Sequence, residues 1–177
     1  MRGGAMSNYD RIEKELVLHA PIERVWRAIT DIAQFSEWFG IWLDQPFAPG
    51  RTVTGTFAQE FDELGIRAYH TSLGIEPTGI RRPKPNDVFC TVEQMKEPHL
   101  FSFRWVPYGL DIECDPEREP TTLVEFNLES VVGGTRLKIT ETGFEGVPAH
   151  RRQRAFLMND GGWSAQIENI RRHVERD

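Results

Sequence analysis

The sequence predicts an α+β fold: a curved antiparallel sheet of six or seven strands wraps one long C-terminal helix, and two short helices follow the first strand. Three observations predict it. Phe156, Trp163, Ile167, Ile170 and Val174 recur at spacings of three, four and seven, one apolar stripe on a helix from Pro148 to Glu175. Upstream, alternating apolar and polar runs are separated by Gly, Pro and Asn, the pattern of strands joined by turns. A meander of that kind has one dry face, and the C-terminal helix is the only predicted element long enough to cover it.

Met1–Met6, with Arg2, Gly3 and Gly4, reads as a flexible leader or cloning scar, with Met6 as a candidate start. The expectation is a leader over 1–10 and a single domain over 11–177. Ile12, Leu16 and Leu18 alternate as a half-buried strand, in which Lys14 is the misfit. Pro21 opens a helix whose Ile22, Val25, Trp26 and Ile29 face inward. Asp31 caps a second helix that buries Ile32, Phe35, Trp38 and Phe39 and ends at Gly40. Val53, Gly55 and Phe57 alternate with threonines as a strand after the Pro49–Gly50 turn.

Asp62–Asn86 carries enough Gly and Pro to read as a loop, with Tyr69–Ile75 as a candidate strand. Strands follow at Val88–Met95 and Leu100–Val106, where Phe101, Phe103 and Trp105 share a face. Tyr108–Pro120 is acidic and lacks the glycine and terminal glutamate of a calcium-binding loop, so a solvated loop is expected. Val124, Phe126 and Leu128 form a strand, Gly133–Gly134 turn the chain, and Leu137 and Ile139 keep the inward phase. That phase carries Glu141 inward. On the long helix, Pro148 suits the first helical position, and Arg151, Arg152, Arg154, Glu168, Arg171, Arg172 and Glu175 form a face expected to be solvated. Asn159 shares the apolar face, and Gly161 and Gly162 each cost about 1 kcal/mol relative to Ala in mid-helix. A covering helix that carries an amide and gives up side-chain volume implies a space beneath it.

A net charge of −6 argues against nucleic acid as the main partner, and the runs Arg81–Lys84 and Arg151–Arg154 read as solvated surface. No apolar run approaches the ~20 residues of a membrane span, and no signal peptide is visible. Cys90 and Cys114 fit neither a disulfide framework nor a zinc pattern; free thiols in a reducing cytoplasm are expected. His19, His70, His99, His150 and His173 are scattered without metal-ligand spacing, so neither a metal nor a cofactor is expected. His19 ends the first strand, and only His70 lies in a segment that borders a cavity mouth.

The segment from Ala20 to Asp31, followed by Trp38-Phe39-Gly40, resembles the opening signature of the family named after the activator of the heat-shock-protein-90 ATPase. Phe101–Trp105, Thr121–Phe126, Thr140–Phe144 and Asn159-Asp160-Gly161-Gly162-Trp163 resemble it too, the last as in small bacterial stand-alone members. The resemblance implies the helix-grip fold of the START-like (SRPBCC) superfamily and a cavity between sheet and helix. It does not imply an activity, because members range from co-chaperone domains to enzymes.

Three duties are open to Glu141 and Asn159: a buried polar pair that fixes helix to sheet, a ligand anchor, or proton transfer. Trp38, Phe103, Trp105, Phe126 and Trp163 supply rings for a cavity lining or for the core. The leading expectation is binding of a small apolar or aromatic ligand by these seven residues. The alternatives are a chaperone-linked interaction domain of stress response, as monomer or dimer, and a cyclase- or hydratase-type enzyme using Glu141 with water or Tyr108.

Overall fold

The computed structural model describes residues 9–176. The expected leader therefore lies outside the described residues except for Tyr9 and Asp10, and Tyr9 packs edge-on against Phe156 with centroids 5.4 Å apart. Strand β1 (Arg11–Leu18) leads into helices α1 (Ile22–Thr30) and α2 (Ile32–Phe39), then strands β2 (Ile41–Leu43) and β3 (Thr52–Phe57). Helix α3 (Glu63–Ser72) precedes β4 (Asp87–Lys96), β5 (Leu100–Trp105), β6 (Thr122–Val131) and β7 (Gly134–Thr142). A short 3-10 turn at Phe144–Gly146 then leads into helix α4 (Ala149–Glu175). The strands make one seven-stranded antiparallel sheet in the order β1-β7-β6-β5-β4-β3-β2. This is the helix-grip architecture, with the core between the inner face of the sheet and α4.

Local chemistry sets the ends of the short helices. The Asp31 carboxylate accepts from the Gln34 N–H, one of the orphan donors at the start of α2. Gly40 ends α2 at φ 86°, a left-handed backbone that a side chain would strain. Lys14, the misfit of β1, pairs with Asp160 on α4 at 2.9 Å, so its charge is matched rather than stranded. Pro148 sits one residue before α4 as its cap, not as its first helical residue.

Four expectations are corrected. Tyr69–Ile75 is not a strand: it falls at the end of α3 and the turn beyond it. Among α3's residues only His70 is buried, so the helix lacks the stripe that would have announced it. The three-residue strand β2 was not anticipated, being too short to show alternation. Arg151 and Arg154 are not solvated but buried, at 1% and 8% exposure.

The fourth correction explains the third. The acidic loop after β5 is not free in solvent, because it docks on the first turns of α4. Arg151 donates to Glu119 at 2.7 Å and to the Pro107 carbonyl at 2.9 Å. Arg154 reaches Asp111 at 2.8 Å and Glu113 at 2.7 Å. Asp111 is fully buried, and Arg151 stands 3.6 Å from its carboxylate as well. Burial pushes the Glu119 carboxyl up, but the Arg151 guanidinium, the Cys114 thiol and the Asp115 N–H together hold Glu119 below its ordinary value. Charges removed from water in this way persist only when paired.

Candidate functional site

Glu141 is placed by the alternation of β7, following Leu137 and Ile139 onto the inner face, and it is 0% exposed. Four side chains from three other elements converge on its carboxylate. Trp105 Nε1 on β5 donates at 2.7 Å and Thr122 Oγ1 on β6 at 2.6 Å. From α4, Trp163 Nε1 donates at 2.9 Å, and Asn159 Nδ2 reaches both oxygens at 3.0 Å. Burial pushes the Glu141 carboxyl above its ordinary value, and these donors oppose that shift.

The two tryptophans turn their other surfaces to a cavity of about 300 Å³ between the sheet and α4. Their rings lie 5.5 Å apart, and Phe39, Phe57, Phe89 and Met158 extend the apolar wall. Gly162 also lines it, and nothing lies within 4 Å of where a Cβ would stand there. Gly161, one residue earlier, instead admits the Tyr69 hydroxyl of α3, which a Cβ would strike. The segment around α3 contributes Phe61, Arg81 and Pro83 to the wall.

Of the seven residues singled out in the sequence, Trp105, Asn159 and Trp163 line this cavity. Glu141 sits behind the wall rather than in it, because all of its bonding positions are taken by the residues in front. Trp38 is drawn away by a different bond: its Nε1 donates to the Ala28 carbonyl at 2.7 Å, tying α2 to α1. Phe103 and Phe126 are fully buried against each other and Phe101, and so belong to the packed core.

Tyr108, at the start of the acidic loop, also lines the cavity, and it adopts a left-handed backbone at φ 46°. The segment that carries His70 borders the cavity through Arg81 and Pro83, while His70 itself is fully buried, with Nε2 3.1 Å from the Tyr108 hydroxyl. Its Nδ1 accepts from the Thr78 N–H at 3.2 Å. Burial first, then the Arg154 charge, lower the His70 pKa. Burial, aided by Asp111, pushes the Tyr108 phenol up to about 12. Sequence reading gave Tyr108 only an accessory place; its approach to His70 spans 38 residues and leaves no local signal.

A family model described as "Activator of Hsp90 ATPase homolog 1-like protein" matches residues 19–175. The chain belongs to this family. Solved structures resemble the chain in fold across nearly its whole length. A protein of Mesorhizobium loti shares 20% identity at a TM-score of 0.64, covering 94% of this chain and 97% of that one. A Bacillus halodurans protein shares 21% identity at 0.57, covering 93% and 96%. The Aha1 dimer of Colwellia psychrerythraea shares 13% identity at 0.60, also covering 93% and 96%. No curated protein matches in sequence. In this member of the activator-like family, burial pushes the Cys90 and Cys114 thiols up to about 12, which suppresses the reactive thiolate. Among the described residues, no group of His, Cys, Asp or Glu is arranged to hold a metal ion, and no helix is long and apolar enough to cross a membrane.

Proposed function

We propose that the chain encloses a small apolar or aromatic ligand in the cavity between the sheet and α4. One observation carries this reading: the indoles of Trp105 and Trp163 are both tethered to the buried Glu141 while they line the same space. Tethered rings lose little freedom when a ligand stacks on them, which lowers the entropy cost of binding. Volume and lining support it too, since ligand sites are typically concave, largely apolar and punctuated by few polar groups. Glu141 then positions the wall and does not transfer protons, because its oxygens are occupied by Thr122, Asn159 and the indoles.

Native mass spectrometry of freshly purified protein tests the reading. A mass excess that disappears on denaturation is expected, with quenching of tryptophan emission when an aromatic probe is added. Absence of both a retained small molecule and quenching by any apolar probe would remove the support for it. A second reading, contact with a chaperone, rests on the family description. Its measurement is whether the chain raises the ATPase rate of an Hsp90 from the same cell. The dimer in the Colwellia structure makes oligomeric state a further readout of the mass spectrum.

A further inference from the structure

The cavity lining holds three uncharged polar side chains. Gln166 is occupied at both ends, donating to the Phe39 carbonyl at 3.2 Å and accepting from Asn169 at 3.1 Å, and the other two have a hydrogen-bonding sense fixed by what stands behind them. Asn159 donates its amide nitrogen to both oxygens of Glu141. A carboxylate facing four donor side chains takes the NH₂ and not the carbonyl, so the orientation of the amide is settled by the network. What Asn159 has left for the cavity is its Oδ1, an acceptor.

Tyr108 has the opposite sense. The Thr78 N–H points at Nδ1 of His70, so that nitrogen carries no proton and the ring hydrogen sits on Nε2. Nε2–H therefore donates to the Tyr108 oxygen. The phenol keeps its own proton, since burial raises its pKa, and that O–H is what it has left to give. Tyr108 holds a left-handed backbone at the start of a turn that the Asp111 N–H closes onto its carbonyl at 3.1 Å. The charged pair in the lining is matched within itself: Arg81 stands 3.5 Å from Asp87 and also donates to the Gly109 carbonyl.

Resting on the reading of the cavity as a ligand site, we propose that it selects a flat, uncharged aromatic molecule with two polar ends. A hydrogen-bond acceptor, such as a carbonyl, meets the Tyr108 hydroxyl. A hydroxyl or N–H donor meets the Asn159 carbonyl. Phe39, Phe57, Trp105 and Trp163 hold the rings between them.

Four naphthalenes test this by calorimetry and tryptophan quenching: hydroxyacetonaphthone, methoxyacetonaphthone, ethylnaphthol and ethylmethoxynaphthalene. Hydroxyacetonaphthone is expected to bind tightest. Blocking its donor as the methyl ether, or replacing acetyl by ethyl, costs about tenfold each, the worth of one hydrogen bond. In Tyr108→Phe, which keeps the ring, the preference for acetyl over ethyl vanishes while the preference for hydroxyl over methoxy stays. Equal binding of all four by the unaltered protein overturns the polarity assignment and leaves the cavity reading standing. An acetyl preference that survives in a folded Tyr108→Phe removes Tyr108 as the donor. Failure of all four to bind overturns both the assignment and the reading beneath it.

Discussion

Replacing Glu141 by Gln changes one oxygen into an NH₂ group and almost nothing in volume, so its cost isolates the hydrogen bonds. Oε1 accepts from Trp163 and Asn159, and Oε2 accepts from Trp105, Thr122 and Asn159. Whichever oxygen is lost, an indole N–H then faces an NH₂, and an indole has no way to reverse its role. A stranded buried donor costs about 1–3 kcal/mol and the lost Asn159 bond about 1 kcal/mol. The expected loss is therefore about 2–4 kcal/mol, a large part of the roughly 5–15 kcal/mol that holds a domain together. Urea denaturation followed by far-ultraviolet circular dichroism measures it without relying on the tryptophans. The sign of the pH dependence follows from the raised carboxyl. A group with a raised folded pKa binds more protons folded than unfolded, so its contribution is full below the unfolded value and is lost as pH rises through the folded one. The gap between wild type and Glu141→Gln should therefore be wider at about pH 5 than at about pH 8. A loss below about 0.5 kcal/mol, with an unchanged denaturant slope, would refute the claim that these donors depend on Glu141.

Asp111→Asn removes the charge that faces both buried arginines, and breaking one partner of such a cluster should cost about 3–5 kcal/mol by chemical denaturation; a change under about 1 kcal/mol would show that Glu113 and Glu119 suffice. Gly162→Ala should gain up to about 1 kcal/mol of helix stability while weakening probe binding, because its methyl enters the cavity. Gly161→Ala should forfeit that gain against the Tyr69 hydroxyl, and equal melting temperatures for the two variants would contradict the packing described. Amides of α3 should exchange with deuterium faster than those of Val124–Leu128, since α3 buries only His70; equal protection would mean that α3 unfolds only with the core.

The elements that were legible in the sequence bury a periodic face. The stripe from Phe156 to Val174 and the phase Leu137, Ile139, Glu141 needed no knowledge of partners. Phase says which way a side chain points but not whether it meets a void or another ring. Trp38 and Trp105 both read as inward; one spends its indole on a helix carbonyl and the other on Glu141. The arginines of α4 failed for a related reason. A helical wheel has one apolar stripe, whereas α4 is covered from two sides, by the sheet and by the acidic loop. The available signal was complementary charge: Asp111, Glu113 and Glu119 against Arg151 and Arg154. Helix α3 had no such signal, because its hold on the molecule is made through His70 and Tyr69 and not through an apolar face.

Glu141 also bears on how the chain avoids misfolding. It pairs across β7 with Ile12 on one side and Val124 on the other. A slip of β7 by one residue against either neighbour would turn the carboxylate to the outer face and bring a threonine inward. Apolar burial alone penalises such a slip weakly, because Thr140 and Thr142 carry methyl groups that tolerate a dry surface. The carboxylate penalises it strongly, since two indoles, an amide and a hydroxyl would lose their acceptor together. One buried carboxyl group thereby proofreads the alignment of three strands and the seating of the long helix at once.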